Sequence, residues 1–162
     1  FTICKMTYPE MTGSKAIDHA ASEKPMSAGP VSAKQLRSLE LAAEQVALQA
    51  YAPYSKFRVG AALLLSDGST FTGCNVENIS YGLTICAERS AIASAVSSRG
   101  PAIRIAGIAV TNLNDAASPP CGACRQVLSE FVTADALISF KTLQGREVRS
   151  FADLLPFSFR QW

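Results

Sequence analysis

Residues 103–112, Ile-Arg-Ile-Ala-Gly-Ile-Ala-Val-Thr-Asn, form a continuous run rich in β-branched side chains, the composition of a strand buried on both faces. Such a strand needs a layer above and a layer below, and the neighbouring segments supply them. Before it, the stretch that begins Thr84-Ile85-Cys86-Ala87-Glu88 reads as an alanine-rich helix stopped by Gly100 and Pro101. After it, a loop ending Ser118-Pro119-Pro120 leads into a helix from Cys121 with Val127, Leu128 and Phe131 facing inward.

The rest of the chain follows the same scheme. Ser32 can cap a helix over residues 32–50, with Leu36, Leu39, Val46 and Ala50 near one face, and Pro53 disfavours helical geometry at Ala52. An apolar run from Val59, a turn at Asp67-Gly68 and a second run from Thr70 predict a β-hairpin. Residues 136–140 predict another strand, Gly145 a turn, residues 146–150 a weaker strand, and the tail a short terminal turn. Helix, hairpin, helix, strand, helix, strand, strand is the order of an α/β sandwich in which helices cover a sheet.

A length of 162 residues with 48% hydrophobic and 17% charged side chains fits one compact domain. The formal charge of +2 is scattered, which argues against a nucleic-acid or membrane footprint. No window reaches the apolar length of a membrane span, and the N-terminus lacks a signal-peptide core. The expectation is a cytoplasmic protein with residues 1–31 as a flexible N-terminal extension and residues 32–162 as the domain.

The chemistry concentrates at three cysteines. Cys121 and Cys124 lie three apart at a helix start, a spacing open to a redox dithiol, half of a structural zinc site or part of a catalytic one. Cys86, at the start of another helix, offers a third sulfur, and three protein ligands leave a tetrahedral zinc one open position. Glu88 stands two residues from Cys86, where a carboxylate can move protons at that open position. His-or-Cys-x-Glu followed by Pro-Cys-x-x-Cys is the signature of zinc-dependent nucleobase deaminases.

From about Lys34 to Phe159 the chain resembles the small homotetrameric cytidine deaminases of pyrimidine salvage. The resemblance rests on the blocks YAPYSKFRVGAALL, GCNVENISYG, ICAERSAI, SPPCGACRQVL and LLPFSF. It implies a three-layer α/β/α sandwich of the cytidine deaminase type, with a mixed sheet covered by helices. It implies Cys86, Cys121 and Cys124 as ligands of one Zn2+ per chain and Glu88 as proton shuttle. Asn75 and Glu77 match positions that hold the ribose hydroxyls, Phe57 an aromatic lining the nucleoside pocket, and Ala87 backbone groups facing the pyrimidine. Tyr81 and Phe159 match residues contributed across subunit interfaces. The implied reaction is hydrolytic deamination of cytidine and 2′-deoxycytidine by attack of zinc-bound hydroxide at C4, with no nucleic-acid or membrane partner.

Arg89 carries a physical expectation of its own. Three thiolates around a divalent zinc leave a net negative charge that a neighbouring guanidinium would offset, restoring acidity to the bound water. Elsewhere the bland readings hold: Cys74 as a small core residue, Cys4 and His19 as non-catalytic residues of the extension, and Arg58 as a solvated side chain where many relatives carry proline. Other functional readings are deamination of a modified nucleoside, polynucleotide editing, and a zinc-stabilised binding module without turnover. The ribose-matching Asn75–Asn78 block, the short near-neutral chain and Glu88, respectively, speak against them.

Overall fold

The structure, a computed structural model, describes residues 30–159. The expectations for the extension, including those for Cys4 and His19, lie outside the described residues apart from Pro30 and Val31. Val31 packs against the core beside Leu36 and Leu39.

Helix α1 (Ala33–Ala47) opens on a capping box. The Ser32 hydroxyl accepts from the Gln35 amide at 3.3 Å, and the Gln35 side chain accepts from the Ser32 amide at 2.9 Å. Strands β1 (Val59–Leu65) and β2 (Thr70–Cys74) form the hairpin, turned by Gly68 at φ 86°. Helix α2 (Ala87–Arg99), strand β3 (Ile105–Asn112) and helix α3 (Gly122–Leu128) follow. Strands β4 (Val132–Thr142) and β5 (Gly145–Ser150) and the short helix α4 (Phe151–Leu154) complete the chain.

The strands assemble in the order β2-β1-β3-β4-β5. All neighbours are antiparallel except β3 and β4, which run parallel because α3 carries the chain between them. The sheet is therefore mixed, and its two faces are covered as the expected three-layer sandwich requires. On one face α1 packs Leu36, Leu39 and Ala43 against Ala62, Leu64 and Ala109. On the other, α2, α3 and α4 cover a larger core built on Leu63, Ile105, Ile108, Leu128 and Ile138, all fully buried. Each such side chain contributes about 1.5–3 kcal/mol of transfer free energy relative to exposure.

Two glycines set how closely the helices approach. A Cβ on Gly60 would lie 2.0 Å from the Ala43 carbonyl oxygen of α1, and one on Gly73 would lie 2.3 Å from the Ala91 amide of α2. The hairpin thus sits against helix backbone on both faces, and backbone cannot step aside as a side chain can.

Several details differ from the sequence expectation. The buried stripe of α1 runs Leu36, Leu39, Glu40, Ala43, Ala47, with Val46 and Ala50 only partly covered. Glu40 survives there because its carboxylate accepts from Ser139 Oγ at 2.7 Å and pairs with Arg37 at 3.1 Å and Arg146 at 3.7 Å. Arg146 also reaches Ser139 Oγ and Thr111 Oγ1 at 3.3 and 3.2 Å. Helix α2 begins at Ala87 rather than Thr84, since Ile85 pairs with Val76 as an isolated bridge. Cys74 is half-buried at the end of β2 rather than a core residue. Arg58 is half-buried and donates to the Leu48 carbonyl, a cation placed at the C-terminus of α1 rather than in solvent.

Overpacking against backbone costs more than a strained turn. Gly60→Ala and Gly73→Ala are expected to lower unfolding free energy by about 3 kcal/mol or more each. Gly68→Ala, with open space around its Cβ but a positive φ, should cost about 1 kcal/mol. Urea unfolding monitored by circular dichroism separates the two cases.

Candidate metal and nucleoside site

Helices α2 and α3 begin side by side beneath the ends of β1 and β3, and each begins with a cysteine. Cys86 is the N-cap of α2 and Cys121 the N-cap of α3. The Cys121 sulfur takes the place usually held by a capping oxygen, accepting from the Cys124 amide at 3.4 Å. Cys124 itself is fully buried one turn into α3.

The three sulfurs lie within 4.8 Å of one another, and those of Cys86 and Cys121 are 3.9 Å apart. Two thiolates sharing a tetrahedral zinc at its usual bond length stand about 3.8 Å apart. Spacing and donor type therefore fit zinc, and Cys86, Cys121 and Cys124 could hold one ion per chain.

Charge is arranged around this cluster. The Cys86 thiol is lowered to about 5, foremost by a hydrogen bond from Cys124 and then by the guanidinium of Arg89. Cys124 moves the opposite way, because its thiol keeps the proton it donates to Cys86 and is buried. Arg89 Nη2 donates to the Thr84 carbonyl at 2.9 Å and reaches Cys86 Sγ at 3.6 Å, while its buried Nε has no partner. The contact with Cys86 raises the guanidinium's own pKa further. Glu88, 4% exposed, is pushed above the usual carboxylate range by burial first and then by the negative charge on Cys86.

A cavity of about 210 Å³ opens beside the sulfurs, lined by Cys86, Ala87, Glu88 and Cys121 together with Phe57 and Asn75. Val59, Val110, Thr84, Ser118 and Pro119 complete the lining. The sequence reading missed these last five residues. Val59 and Val110 reach the cavity through strand register near the end of the β1–β3 ladder, and Thr84, Ser118 and Pro119 through the loops before α2 and α3; neither register nor loop path is written in residue type.

The remaining candidates are placed as follows. The Asn75 carboxamide accepts from the Val59 amide at 2.8 Å and donates to the Phe57 carbonyl at 2.9 Å, which leaves it one further N–H. Glu77 is buried next to the cavity wall rather than in it. Its carboxylate accepts from the Ser55 hydroxyl and from the Tyr54 and Ser55 amides at 2.9 and 3.3 Å, and Ser55 foremost holds it below the usual carboxylate range. Tyr81 is 72% exposed and meets Tyr54 edge-on at 6.4 Å. Phe159 is 84% exposed, its backbone bound at both amide and carbonyl by Gln126. Neither reaches the cavity within one chain.

Residues 32–140 match the family model for the cytidine and deoxycytidylate deaminase zinc-binding region. The chain is 50% identical over 113 residues to a cytidine deaminase of Halalkalibacterium halodurans, covering 68% of this chain and 83% of that protein. It is 46% identical over 117 residues to one of Mycobacterium tuberculosis, covering 72% and 84%. A crystal structure of cytidine deaminase from Burkholderia pseudomallei superposes with a TM-score of 0.68 at 46% identity, covering 76% of this chain and 98% of that one. Among the described residues no helix is long and apolar enough to cross a membrane. Family model, relatives, fold and thiol cluster agree, and the chain belongs to the zinc-dependent cytidine deaminase family.

Proposed function

We propose that this protein hydrolyses cytidine and 2′-deoxycytidine to uridine and 2′-deoxyuridine with release of ammonia, as a step of pyrimidine salvage. The observation that carries the reading is the buried Glu88 carboxyl beside three converging thiols at the wall of a nucleoside-sized cavity. A structural zinc site would close with a fourth protein ligand, whereas three thiols leave one position open and the Glu88 carboxyl lines the same cavity. Four soft donors would also have made Glu88 unnecessary.

Zinc held by Cys86, Cys121 and Cys124 supplies the Lewis acidity that makes water nucleophilic near neutral pH. Glu88 moves the protons: it takes one from the attacking water and gives it to pyrimidine N3, then takes the second and gives it to the departing 4-amino nitrogen. Its raised pKa suits this work, because a carboxyl must hold each proton briefly before releasing it. Phe57 packs against the base, and the Ala87 backbone faces its polar edge. The spare N–H of Asn75 and the Glu77 carboxylate engage the ribose hydroxyls. The acidity of Glu77 keeps it an acceptor across the physiological range.

Arg89 tunes the site charge by its contact with Cys86. Tyr81 and Phe159 act from neighbouring subunits of a homotetramer. The segment around Tyr81 supports this, since Ile79 and Leu83 are also largely exposed, at 77% and 68%. Free thiols working as metal ligands suit the reducing cytoplasm.

Loss of cytidine absorbance, measured beside zinc content and sedimentation, tests the proposal. Wild type should turn over cytidine with one zinc per chain. Glu88→Gln should keep the zinc and lose roughly a hundred- to ten-thousandfold in kcat. Zinc present with no deamination of any nucleoside would sink the enzymatic reading.

Arg89→Gln should move the acidic limb of the activity profile to higher pH and lower kcat. In metal-free protein it should also raise the Cys86 thiol from its value of about 5, so that alkylation at mildly acidic pH slows. The sign for stability follows from the same shift. A thiolate stabilised by folding contributes fully above the ordinary thiol value of 9.0, and that contribution is lost as pH falls through about 5.

A further inference from the structure

The last pair of the ladder between β1 and β3 is Val59 with Asn112. Beyond it the two strands lead into two loops that both line the cavity, one with Phe57 and the other with Ser118-Pro119. Loops that leave a sheet lose their backbone partners, yet the groups flanking Phe57 are nearly all bonded.

The partners are carboxamides. Asn114 Oδ1 accepts from the Arg58 amide at 3.0 Å and Asn114 Nδ2 donates to the Lys56 carbonyl at 3.1 Å. The Leu113 amide donates to the Arg58 carbonyl at 3.0 Å. Asn114 thus spans the peptide on both sides of Phe57, as a strand would. Its own loop is held by Asn112, whose Oδ1 accepts from the amides of Asn114 and Ala116 at 2.9 and 3.2 Å. Asn112 Nδ2 donates to the Ala116 carbonyl at 2.7 Å and to Ser118 Oγ at 2.9 Å. From Phe57 to Ser118 the contacts run through two side chains without a gap.

Backbone conformation gives an independent sign that these loops are held. Among the described residues, the non-glycine positions with positive φ are Lys56 at 60° and Asp115 at 55°. Each lies in one of the two loops, next to a group that an asparagine binds. Left-handed backbone at such residues persists where surrounding contacts impose it. A carboxamide is also the group the geometry needs at 114, because it must accept from one amide and donate to one carbonyl, and a carboxylate cannot donate.

We infer that Asn114, supported by Asn112, is a positioning residue that fixes the distance between the Phe57 wall and the Ser118-Pro119 wall, and so sets how tightly the nucleoside is gripped. This rests on the proposed cytidine reaction. Neither asparagine touches the sulfurs or Glu88, so the grip is the same in ground state and transition state. Its loss appears in KM rather than in kcat.

The test is steady-state kinetics on zinc-loaded full-length protein. Asn114→Ala should raise KM for cytidine about tenfold with kcat within about twofold and zinc content unchanged. Asn114→Asp, which keeps the shape and the acceptor facing Arg58 but sets a carboxylate oxygen against the Lys56 carbonyl, should also raise KM, and it gives a reading even where the alanine variant folds poorly. In a Lys56→Gly background, where left-handed backbone carries no penalty, the effect of Asn114→Ala should shrink. Unchanged KM in both Asn114 variants overturns the inference, as does a fall in kcat and zinc at constant KM. Full additivity of Asn114→Ala with Lys56→Gly overturns it too, because Asn114 would then not act through Lys56. Wild type without cytidine turnover overturns the proposed substrate itself, a result distinct from all of these.

Discussion

The site depends on two helices that start with sulfur. A helix start leaves amides without partners, and the usual remedy is an oxygen side chain at the N-cap. Here Cys86 and Cys121 hold those positions, so the ligand atoms are part of the helix ends themselves. Where the helices start is in turn decided by the sheet. Helix α2 is pressed onto β2 at Gly73, and α3 is the crossover between the one parallel pair of strands. A metal bound to these sulfurs would inherit its position from the packing of the whole sandwich, with little left to side-chain rotamers.

The same two helix starts also sort charge. Consecutive residues of α2 face different ways, so Glu88 and Arg89 divide the work without neutralising each other. Glu88 turns into the cavity and is denied water, while Arg89 turns toward Thr84 and the Cys86 sulfur. A buried acid pushed above the usual carboxylate range and a thiol lowered to about 5 sit two residues apart. Burial raises the Glu88 carboxyl, whereas the hydrogen bond from Cys124 and then the Arg89 guanidinium lower the Cys86 thiol against its own burial.

The sequence made the element order legible because apolar periodicity switches visibly between strand and helix, and Gly68, Gly100 and Gly145 mark the turns where φ is positive. The metal cluster and Glu88 were legible because their residue types are scarce and their spacing is short. Strand β4 was seen only from Ala136, since its first residues are half-exposed and carry no apolar alternation. The helix from Cys121 stops at Leu128, one turn earlier than its composition suggests. Arg58 was misjudged, and Glu40 passed over, for a common reason: a charged side chain reads as solvent-facing until its partners, distant in sequence, are known. Asn112 read only as the end of a strand and Asn114 only as a loop residue, on the same grounds.

Glu40 has a meaning that its energy alone does not convey. A stripe of leucine and alanine is nearly featureless, and a helix bearing one could ride up or down a sheet by a turn while losing little apolar contact. A carboxylate in that stripe turns the interface into a lock with a single setting. Only where α1 now lies do Ser139 of β4 and Arg146 of β5 meet it; one turn away it would lose both and keep the Arg37 pair of its own helix alone, in which the guanidinium is largely exposed. Because Arg58 is anchored to the last turn of α1, the notch cut by Glu40 near the middle of the helix also fixes where the chain enters the loop that carries Phe57.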